Sequence, residues 1–422
     1  MRGAMAWLPM ETAVLRPALL ALTLTVCAVL APIACSGGAS HEASSDAGPS
    51  AVGRDAGGDA PASQRGPDGA TPDSQALGPD GSEDDAATDA HAASTDGGYP
   101  AGWLYTSGGK IYLSDGTSGT PWMGRGVNMD DVFLCGYDDT LWMTTPDETV
   151  ETIVSGVMSA WKPTFVRMSL DMDSYPTVVS WLAEPAQYKT PMTAVINAIG
   201  ANPGVHVLVT LRSDASMIGH DEAADPEGSG LPSDSTTTPS ATSFPTGTDA
   251  TYVALVDTFA NASFVMFGLT NEPGGNTLSD ATLAAAMTHA VGVIRAEEDH
   301  LGVPHHIVSV QGNSWTSDIS FYATTPIAYD NVVYEVHGYP PPTSSYTYPT
   351  IPVILGEYGS LASGASAAFY ADLEAKQIPN LAWDLDPYSN CAPDLVNVDQ
   401  SATGLTPSAW GTIVQSYLLA HP

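Results

Sequence analysis

Basic residues are scarce in this chain. Lysine and arginine together number 12 among 422 residues, against 47 aspartates and glutamates, which gives a formal net charge of −35. Nucleic acids, anionic polysaccharides and anionic membrane surfaces all need positively charged patches on a binding protein. The composition therefore argues against these partners and favours a neutral one. Acidity that merely keeps an exported protein soluble explains the charge at least as well.

Several catalytic motifs are also missing. The chain contains no H-E-x-x-H, no G-x-S-x-G, no Gly-rich phosphate loop and no C-x-x-C. These motifs supply zinc ligation, an activated serine, phosphate binding and thiol redox exchange, respectively. Metalloprotease, esterase, kinase and redox functions therefore lose their main support. His305 and His306 stand at the start of a predicted strand, away from the strand ends that carry polar residues.

Cysteine is rare, and two of the four cysteines lie in an N-terminal export signal. An apolar stretch over 17–34 follows Arg16 and ends at Cys35, which predicts a signal peptide over 1–35. The stretch is close to the lower length limit of a membrane-spanning helix, but its small-residue ending favours cleavage. That ending resembles the lipobox of bacterial lipoproteins, although Pro32 stands where Leu is usual. We expect an exported protein, either secreted or held at the outer membrane or cell surface by a lipid on Cys35.

Large apolar residues are almost absent from 36–98, which consists mainly of Ala, Gly, Ser, Asp and Pro. Such a segment cannot bury enough surface to offset the entropy of ordering it. We therefore predict a disordered linker over 36–98, followed by one catalytic domain over 99–422. This domain holds 34 acidic and 8 basic residues, and we expect it to be monomeric.

Two cysteines remain in the predicted domain, Cys135 near its start and Cys391 near its end. In an oxidising compartment a disulfide between them would persist. They either form this disulfide, which makes the two ends of the domain neighbours, or remain two free thiols.

Short apolar runs alternate with helical patterns throughout the domain. Strands are predicted over 121–128, 164–169, 205–212, 263–272, 306–313, 331–339, 352–359 and 381–386. Helices are predicted over 150–161, 192–200, 281–298, 365–377 and 406–420. Eight strands alternating with helices suit a (β/α)₈ barrel, although 338–351 lacks a helical pattern. A doubly wound open sheet would also alternate, and the Cys135–Cys391 link favours the closed barrel.

Polar residues follow the apolar bodies of these strands. Asn128, Arg167, Asn271, Glu272, His337, Tyr339 and Glu357 stand at strand ends, and Trp383 lies in the eighth strand. The carboxyl ends of barrel strands carry the active site in nearly every enzyme of this architecture. An ionised carboxylate is costly inside a strand, so Glu272 after FVMFGLT indicates that its strand has ended at the barrel mouth.

Two carboxylates, Glu272 and Glu357, should therefore converge at one rim. Retaining cleavage of a glycosidic bond needs such a pair, in which one carboxylic acid protonates the leaving oxygen while the other carboxylate attacks the anomeric carbon. Arg167, one of only eight cations in the domain, stands where it could hold Glu357 ionised. Pairing of Arg167 with a structural acid, Asp171 or Asp173, is the alternative.

The ordered series of motifs resembles glycoside hydrolase family 5, the cellulase-type enzymes within the clan of retaining (β/α)₈ glycosidases. The series comprises GRGVN (124–128), VRMS (166–169), NEP (271–273), VHGY (336–339), GEYG (356–359) and the Trp in strand eight. It spans roughly residues 103 to 420. One position departs from the family: a His is usual after strand three, whereas TLRSDASM (210–217) offers Arg212 or Ser213 instead.

The resemblance implies a role for each matching residue. Glu272 would be the acid/base and Glu357 the nucleophile, with Asn271 binding the substrate 2-hydroxyl. Arg167 and Tyr339 would contact the nucleophile, while His337 and Asn128 would line the catalytic subsite. Trp383 would be a platform under a sugar ring, since aromatic faces suit the apolar faces of pyranoses. Trp315, Tyr388, Tyr175 and Trp122 either line further subsites or pack locally.

These inferences predict a retaining endo-type β-glycanase that acts on a neutral β-linked polysaccharide, in the first place a β-1,4-glucan. A β-mannan is the second candidate, and a tethered barrel that binds glycan without cleaving it is the competing class. No metal or cofactor is predicted, because an acid/base and a nucleophile suffice. The Gly/Pro-rich segment over 213–248 either forms a wall of the cleft or is disordered.

Overall fold

The computed structural model describes residues 98–129, 154–171, 181–182, 188–213, 247–273, 278–341, 346, 348–359, 365, 367–385, 393–397 and 405–422. The predicted signal peptide, nearly all of the linker, both Cys135 and Cys391, and most of 213–248 lie outside these residues. Within them, no helix combines the length and the apolar character that crossing a bilayer requires.

Eight parallel strands form a closed barrel, which confirms the predicted (β/α)₈ fold. The strands are β4 (Arg125–Met129), β5 (Phe165–Asp171), β6 (His206–Ser213), β7 (Val265–Gly268), β8 (Val308–Gln311), β9 (Val332–Gly338), β10 (Val353–Tyr358) and β11 (Asn380–Ala382). Neighbours along the chain pair with one another, and β11 pairs with β4. This closure removes the open-sheet alternative.

Helices surround the barrel and cover its outer apolar face. They are α1 (residues 154–160), α2 (Lys189–Gly200), α3 (Gly247–Phe259), α4 (Asp280–Leu301), α5 (Ala367–Lys376) and α6 (Ala409–Ala420). A short helical turn (Asn313–Thr316) and a 3₁₀ helix (Ser320–Ala323) stand between β8 and β9. Between β9 and β10, the described residues 339–341, 346 and 348–352 contain no helix, as the sequence predicts.

A small antiparallel sheet precedes the barrel, and the sequence patterns did not predict it. It consists of β1 (Leu104–Ser107), β2 (Lys110–Ser114) and β3 (Gly119–Pro121). Its buried residues Leu104 and Ile111 join one apolar cluster with strand residues such as Phe165, Met266 and Val333. The sheet therefore closes the amino-terminal end of the barrel and leaves the opposite end for the site.

Candidate active site

The inward-facing residues change from apolar to polar along each barrel strand. On β5, Phe165 lies in the apolar cluster, and Arg167 follows two residues later on the same face. On β9, Val333 is followed in the same way by Glu335 and then His337. Residues two apart on a strand face the barrel interior, so the interior is apolar at one end and charged at the other.

Arg167 is fully buried and lies at the centre of this cluster. Its guanidinium donates to Glu357 Oε1 at 2.6 Å, to Asn271 Oδ1 at 2.7 Å and to Asn128 Oδ1 at 3.1 Å. Its Nε lies 3.2 Å from both Thr210 Oγ1 and Glu335 Oε1. The fork of five N–H donors suits this role, because a single arginine can bridge groups from several strands.

A β-bulge places Glu357 at the mouth. In the pairing of β10 with β9, Leu355 stands opposite Val336 and Glu357 opposite His337, so Gly356 is the extra residue. Asn128 is fully buried and its Nδ2 donates to the Gly356 carbonyl at 3.0 Å. Asn128 thus contacts Arg167 through its Oδ1 and the bulge through its Nδ2.

Glu272 follows the end of β7 in a left-handed conformation, with φ of 44°. This region is costly for residues other than glycine and persists only where the surroundings hold it. Here the Glu272 N–H donates to Gln311 Oε1 at 2.5 Å, and Gln311 Oε1 also accepts from Thr316 Oγ1 at 2.9 Å. The backbone of Glu272 is therefore held by the end of β8.

His337 lies between carboxylates on both sides of its ring. Its Nδ1 is 2.7 Å from Glu272 Oε1 and 3.5 Å from Glu357 Oε2, and its Nε2 is 3.0 Å from Glu335 Oε1. Burial alone would lower the pKa of His337, but the charges of Glu357, Glu272 and Glu335 outweigh it and raise that pKa to about 9. The ring is an imidazolium at neutral pH and donates from both nitrogens.

Tyr339 donates its hydroxyl to Glu357 Oε2 at 2.9 Å. Burial of this hydroxyl, together with the charges of Glu357 and Glu272, raises the pKa of Tyr339 well above its usual value. The phenol thus keeps its proton and remains a donor. Glu357 is bracketed by Arg167 on one oxygen and by Tyr339 on the other, which fixes the plane of its carboxylate.

The two predicted catalytic carboxylates converge with His337. An oxygen of Glu272, an oxygen of Glu357 and a ring nitrogen of His337 all lie within 4.8 Å of one another. Among the described residues, this is the only group of side chains with the atoms and spacing to share a cation. The charge of Arg167 and the proton on His337 already compensate these carboxylates, so a cation would meet two positive groups.

The sequence from 124 to 389 matches the family model for cellulase, glycosyl hydrolase family 5. The chain belongs to this family. It is therefore a glycoside hydrolase, as the ordered motifs predicted. No curated protein sequence matches the chain.

Several solved structures share the fold of this chain. The chain is similar to an endoglucanase catalytic domain from Thermobifida fusca, with TM-score 0.52 and 16% identity over 75% of this chain and 97% of that one. It is similar to a β-glucanase from Saccharophagus degradans in complex with cellotetraose, with TM-score 0.53, 18% identity and 75% and 93% coverage. It is also similar to a β-mannanase from Streptomyces thermolilacinus with mannohexaose, with TM-score 0.51, 18% identity and 75% and 94% coverage.

The tryptophans of this family 5 enzyme lie in different surroundings. Trp315 is 46% exposed and stands in a left-handed turn in which Ser314, Trp315 and Thr316 all have positive φ. Trp383 directly follows β11 with only 8% of its surface exposed. Trp122 packs edge-on against Phe165 at the amino-terminal end of the barrel, with ring centroids 5.1 Å apart. Of the two alternatives for Trp122, the structure therefore shows local packing, on the closed side of the barrel.

The family's strand-three histidine has no counterpart that the structure describes in full. The backbone of β6 continues to Ser213, but the side chains of Arg212 and Ser213 lie outside the described residues, as do Tyr175 and Tyr388. Thr210, two residues before Arg212 in the sequence, contacts Arg167 through its Oγ1.

Two residues of this family 5 site were missed in the sequence. Gln311 and Glu335 are buried and touch Glu272 and His337, respectively. Glu335 did leave a signal, because it is an ionisable residue in the otherwise apolar run NVVYEVHGY, two positions before His337. The only sequence signal for Gln311 is that it is a polar residue at the end of β8.

Proposed function

We propose that this glycoside hydrolase is a retaining β-glycanase in which Glu272 is the acid/base and Glu357 the nucleophile. One observation carries the proposal: oxygens of the two carboxylates lie within 4.8 Å of each other. Retaining enzymes hold their carboxyl groups about 5–5.5 Å apart, whereas inverting enzymes need roughly 6.5–9.5 Å to admit a water between them. The spacing supports the retaining route.

The first chemical step follows from these contacts. Glu357 attacks the anomeric carbon while Glu272 gives its proton to the glycosidic oxygen, so the C–O bond breaks and a glycosyl ester forms on Glu357. Arg167 and Tyr339 orient the attacking carboxylate through its two oxygens. His337 holds the side chain of Glu272 and is positioned to exchange a proton with it.

The second step reverses these roles. Water gives a proton to Glu272 and attacks the anomeric carbon, and the ester oxygen of Glu357 leaves as a carboxylate. The configuration at the anomeric carbon is inverted twice and is therefore retained. In this account Asn271 donates to the substrate 2-hydroxyl from Nδ2, because its Oδ1 faces Arg167.

The substrate we propose is a neutral β-linked polysaccharide, with a β-1,4-glucan first and a β-mannan second. The excess of acidic over basic residues in the domain supports a neutral polymer. Trp315, displayed at the rim, supports a sugar-binding subsite beyond the catalytic one. The ligands in two similar solved structures, cellotetraose and mannohexaose, support these two candidates.

Product analysis with a panel of polymers tests this proposal. Wild-type protein and Glu357→Ala would each be incubated with β-glucan, mannan, xylan and xyloglucan, and soluble products measured by length. We expect release from β-glucan by the wild type alone, with products of mixed length from endo action. Release from mannan alone would instead favour the second candidate. If neither protein releases sugar and both bind a glycan, the barrel is a tethered binder.

Export of the enzyme is part of the proposal. The apolar stretch over 17–34 and the lipobox-like ending at Cys35 support a lipoprotein or a secreted enzyme. A large polar polymer does not cross a bilayer unaided, so hydrolysis outside the cytoplasm agrees with this substrate class. Metabolic labelling with a fatty acid, compared between wild type and Cys35→Ser, separates the two forms of export.

A further inference from the structure

A third carboxylate lies beneath the two catalytic ones. Glu335 is fully buried on β9, two residues before His337, so both side chains face the barrel interior. Glu335 Oε1 is 3.0 Å from His337 Nε2 and 3.2 Å from Arg167 Nε, while Oε2 accepts from Ser309 Oγ at 2.7 Å. Each oxygen of Glu335 has a donor from a neighbouring part of the site.

The barrel leaves room for this carboxylate. A Cβ atom added at Gly356 would lie 2.0 Å from Glu335 Oε1, closer than any real contact. Gly356 is also the bulge residue that places Glu357, so the position of the nucleophile and the presence of Glu335 depend on the same glycine. The absence of a side chain at Gly356 thus makes the space that the Glu335 carboxylate occupies.

A buried carboxylate is costly unless it is paired, so its retention here calls for an explanation. Burial alone would raise the pKa of Glu335, but Arg167 and His337 outweigh burial and lower that pKa to about 2. Glu335 is therefore ionised at neutral pH. Its charge acts on His337 from the side opposite to Glu272.

We propose, on the basis of the function proposed above, that Glu335 is a positioning residue that keeps His337 doubly protonated and aimed at the acid/base Glu272. In this arrangement the proton needed by the leaving group is kept within the Glu272–His337 pair. When Glu272 gives its proton to the glycosidic oxygen, the pair loses one proton. The water of the second step restores it.

Three carboxylates contact His337: Glu272 after β7, Glu335 on β9 and Glu357 on β10. Arg167 on β5 contacts two of these carboxylates, Glu335 and Glu357. Removal of one of these carboxylates lowers the pKa of the histidine, because a negative charge within about 4–6 Å favours the charged ring by roughly 1–3 units. The pair then loses its proton at lower pH.

The pH profile of Glu335→Gln tests this role. The profile of kcat/KM reports the essential groups of the free enzyme. We expect the alkaline limb to move to lower pH by about one unit or more in the variant. The shift should be largest for a natural oligosaccharide and smaller for an aryl glycoside, whose leaving group needs less protonation.

Glu298→Gln is the matched control. Glu298 is also fully buried and also paired with an arginine and a histidine, Arg295 and His306, but near the amino-terminal end of β8. We expect this control to lose stability without a shift of the alkaline limb. An unmoved limb in folded Glu335→Gln, or equal shifts in both variants, would overturn the proposal.

Two further measurements keep the proposal testable if Glu335→Gln does not fold. Ser309→Ala removes one hydrogen bond from Glu335 but leaves its charge beside His337, so we expect the alkaline limb not to move to lower pH. A downward shift as large as about one unit would contradict a role for that charge. In the wild type, ¹⁵N NMR of the histidine rings should find His337 charged at pH 8. A neutral ring at pH 7 would contradict the arrangement. This readout needs no substrate, so it stands even if the panel of polymers yields no hydrolysis.

Discussion

Glu272 and Glu357 differ in the hydrogen bonds that they make, and this difference underlies their assigned roles. Glu357 accepts from Arg167 and Tyr339, which are permanent donors at neutral pH. Glu272 contacts only His337 through the side-chain contacts that the structure describes, and this partner can exchange a proton with it. Glu357, the proposed nucleophile, is thus oriented by groups that keep their protons, while Glu272, the proposed acid/base, adjoins a group that titrates.

Glu272→Ala should therefore discriminate between leaving groups. We expect the first step on a natural glycan to slow by about 10²–10⁴-fold, the usual contribution of general acid catalysis. An aryl glycoside with a good leaving group should lose much less of its first step. Burst kinetics on both substrates would measure this, and equal losses would remove the acid role.

The stability of the fold should also depend on the buried charges of the site. The pKa of His337 is raised to about 9, so its contribution to folding is complete below about pH 6.5 and is lost as pH rises through 9. The pKa of Glu335 is lowered to about 2, so its contribution is complete above about pH 4.5 and is lost as pH falls through 2.

We expect the melting temperature to be highest between about pH 4.5 and 6.5 and to fall toward pH 9. His337→Gln should melt lower than the wild type at pH 6 but show a flatter decline between pH 6.5 and 9. Calorimetry across this range measures both effects. A wild-type melting temperature that rises steadily from pH 6.5 to 9 would contradict the charged state of His337.

At the scale of elements, the end of β8 links Glu272 to an exposed aromatic residue. Gln311 accepts from the Glu272 backbone and from Thr316, which adjoins Trp315 in the left-handed turn. The turn that carries Trp315 and the backbone of Glu272 are thus held by the same side chain, Gln311. This connection arises because β7 and β8 are neighbours in the barrel.

Gln311→Met tests this connection. Methionine has a similar size but lacks the accepting oxygen, so the left-handed backbone of Glu272 loses its partner. Because each hydrogen bond contributes about 0.5–1.5 kcal/mol, we expect kcat/KM to fall about tenfold. Thr316→Val removes only the second of the two bonds and should cost less. Wild-type kinetics in Gln311→Met would show that this contact is dispensable.

The long helix α4 depends on a local cap at its amino end. Ser279 has an extended backbone, and its Oγ accepts from the Thr282 N–H at 3.1 Å. Loss of such a cap typically costs about 1 kcal/mol of unfolding free energy, which we expect for Ser279→Ala. The same change at Ser416, exposed inside α6, should be neutral or stabilising because alanine favours helix interiors. Urea denaturation of both variants measures the difference.

The strands and most helices could be predicted from local patterns, because each barrel strand is an apolar run that ends in a polar residue. All eight predicted strands correspond to β4–β11, with ends that differ by a few residues. The small sheet β1–β3 was missed because its strands mix Tyr, Lys, Ser and Thr with few apolar residues. Helix α3 was missed because it directly follows a Gly/Pro-rich segment.

Contacts within the site could be predicted only in part, since they depend on register between strands. Arg167 contacts Glu357 at 2.6 Å, whereas the side chains of Asp171 and Asp173 lie outside the described residues. The bulge at Gly356, and with it the position of Asn128, depends on how β10 pairs with β9. No local pattern contains this information, because the partners are separated by up to 228 residues along the chain.

At the scale of the whole molecule, the two ends of the barrel differ: one is a closed apolar core, and the other holds the charged residues of the site. The amino-terminal end is closed by β1–β3 and by an apolar cluster that includes Phe165 and Met266. The carboxyl-terminal end gathers the charges of the site, including the buried Arg167, one of only eight cations in the predicted domain. Burial of this cation inside the barrel leaves the acidic groups to dominate the surface, in agreement with a neutral polymer as substrate.

The central claim, a double displacement at Glu357, is tested most directly by the anomeric form of the first product. Proton NMR would follow the wild-type enzyme during the first minutes on whichever β-linked polymer it hydrolyses, before the two anomers equilibrate. Retention through a glycosyl-enzyme predicts that the β anomer appears first. Initial release of the α anomer would contradict the claim, because it requires direct attack by water and leaves Glu357 without its role as nucleophile.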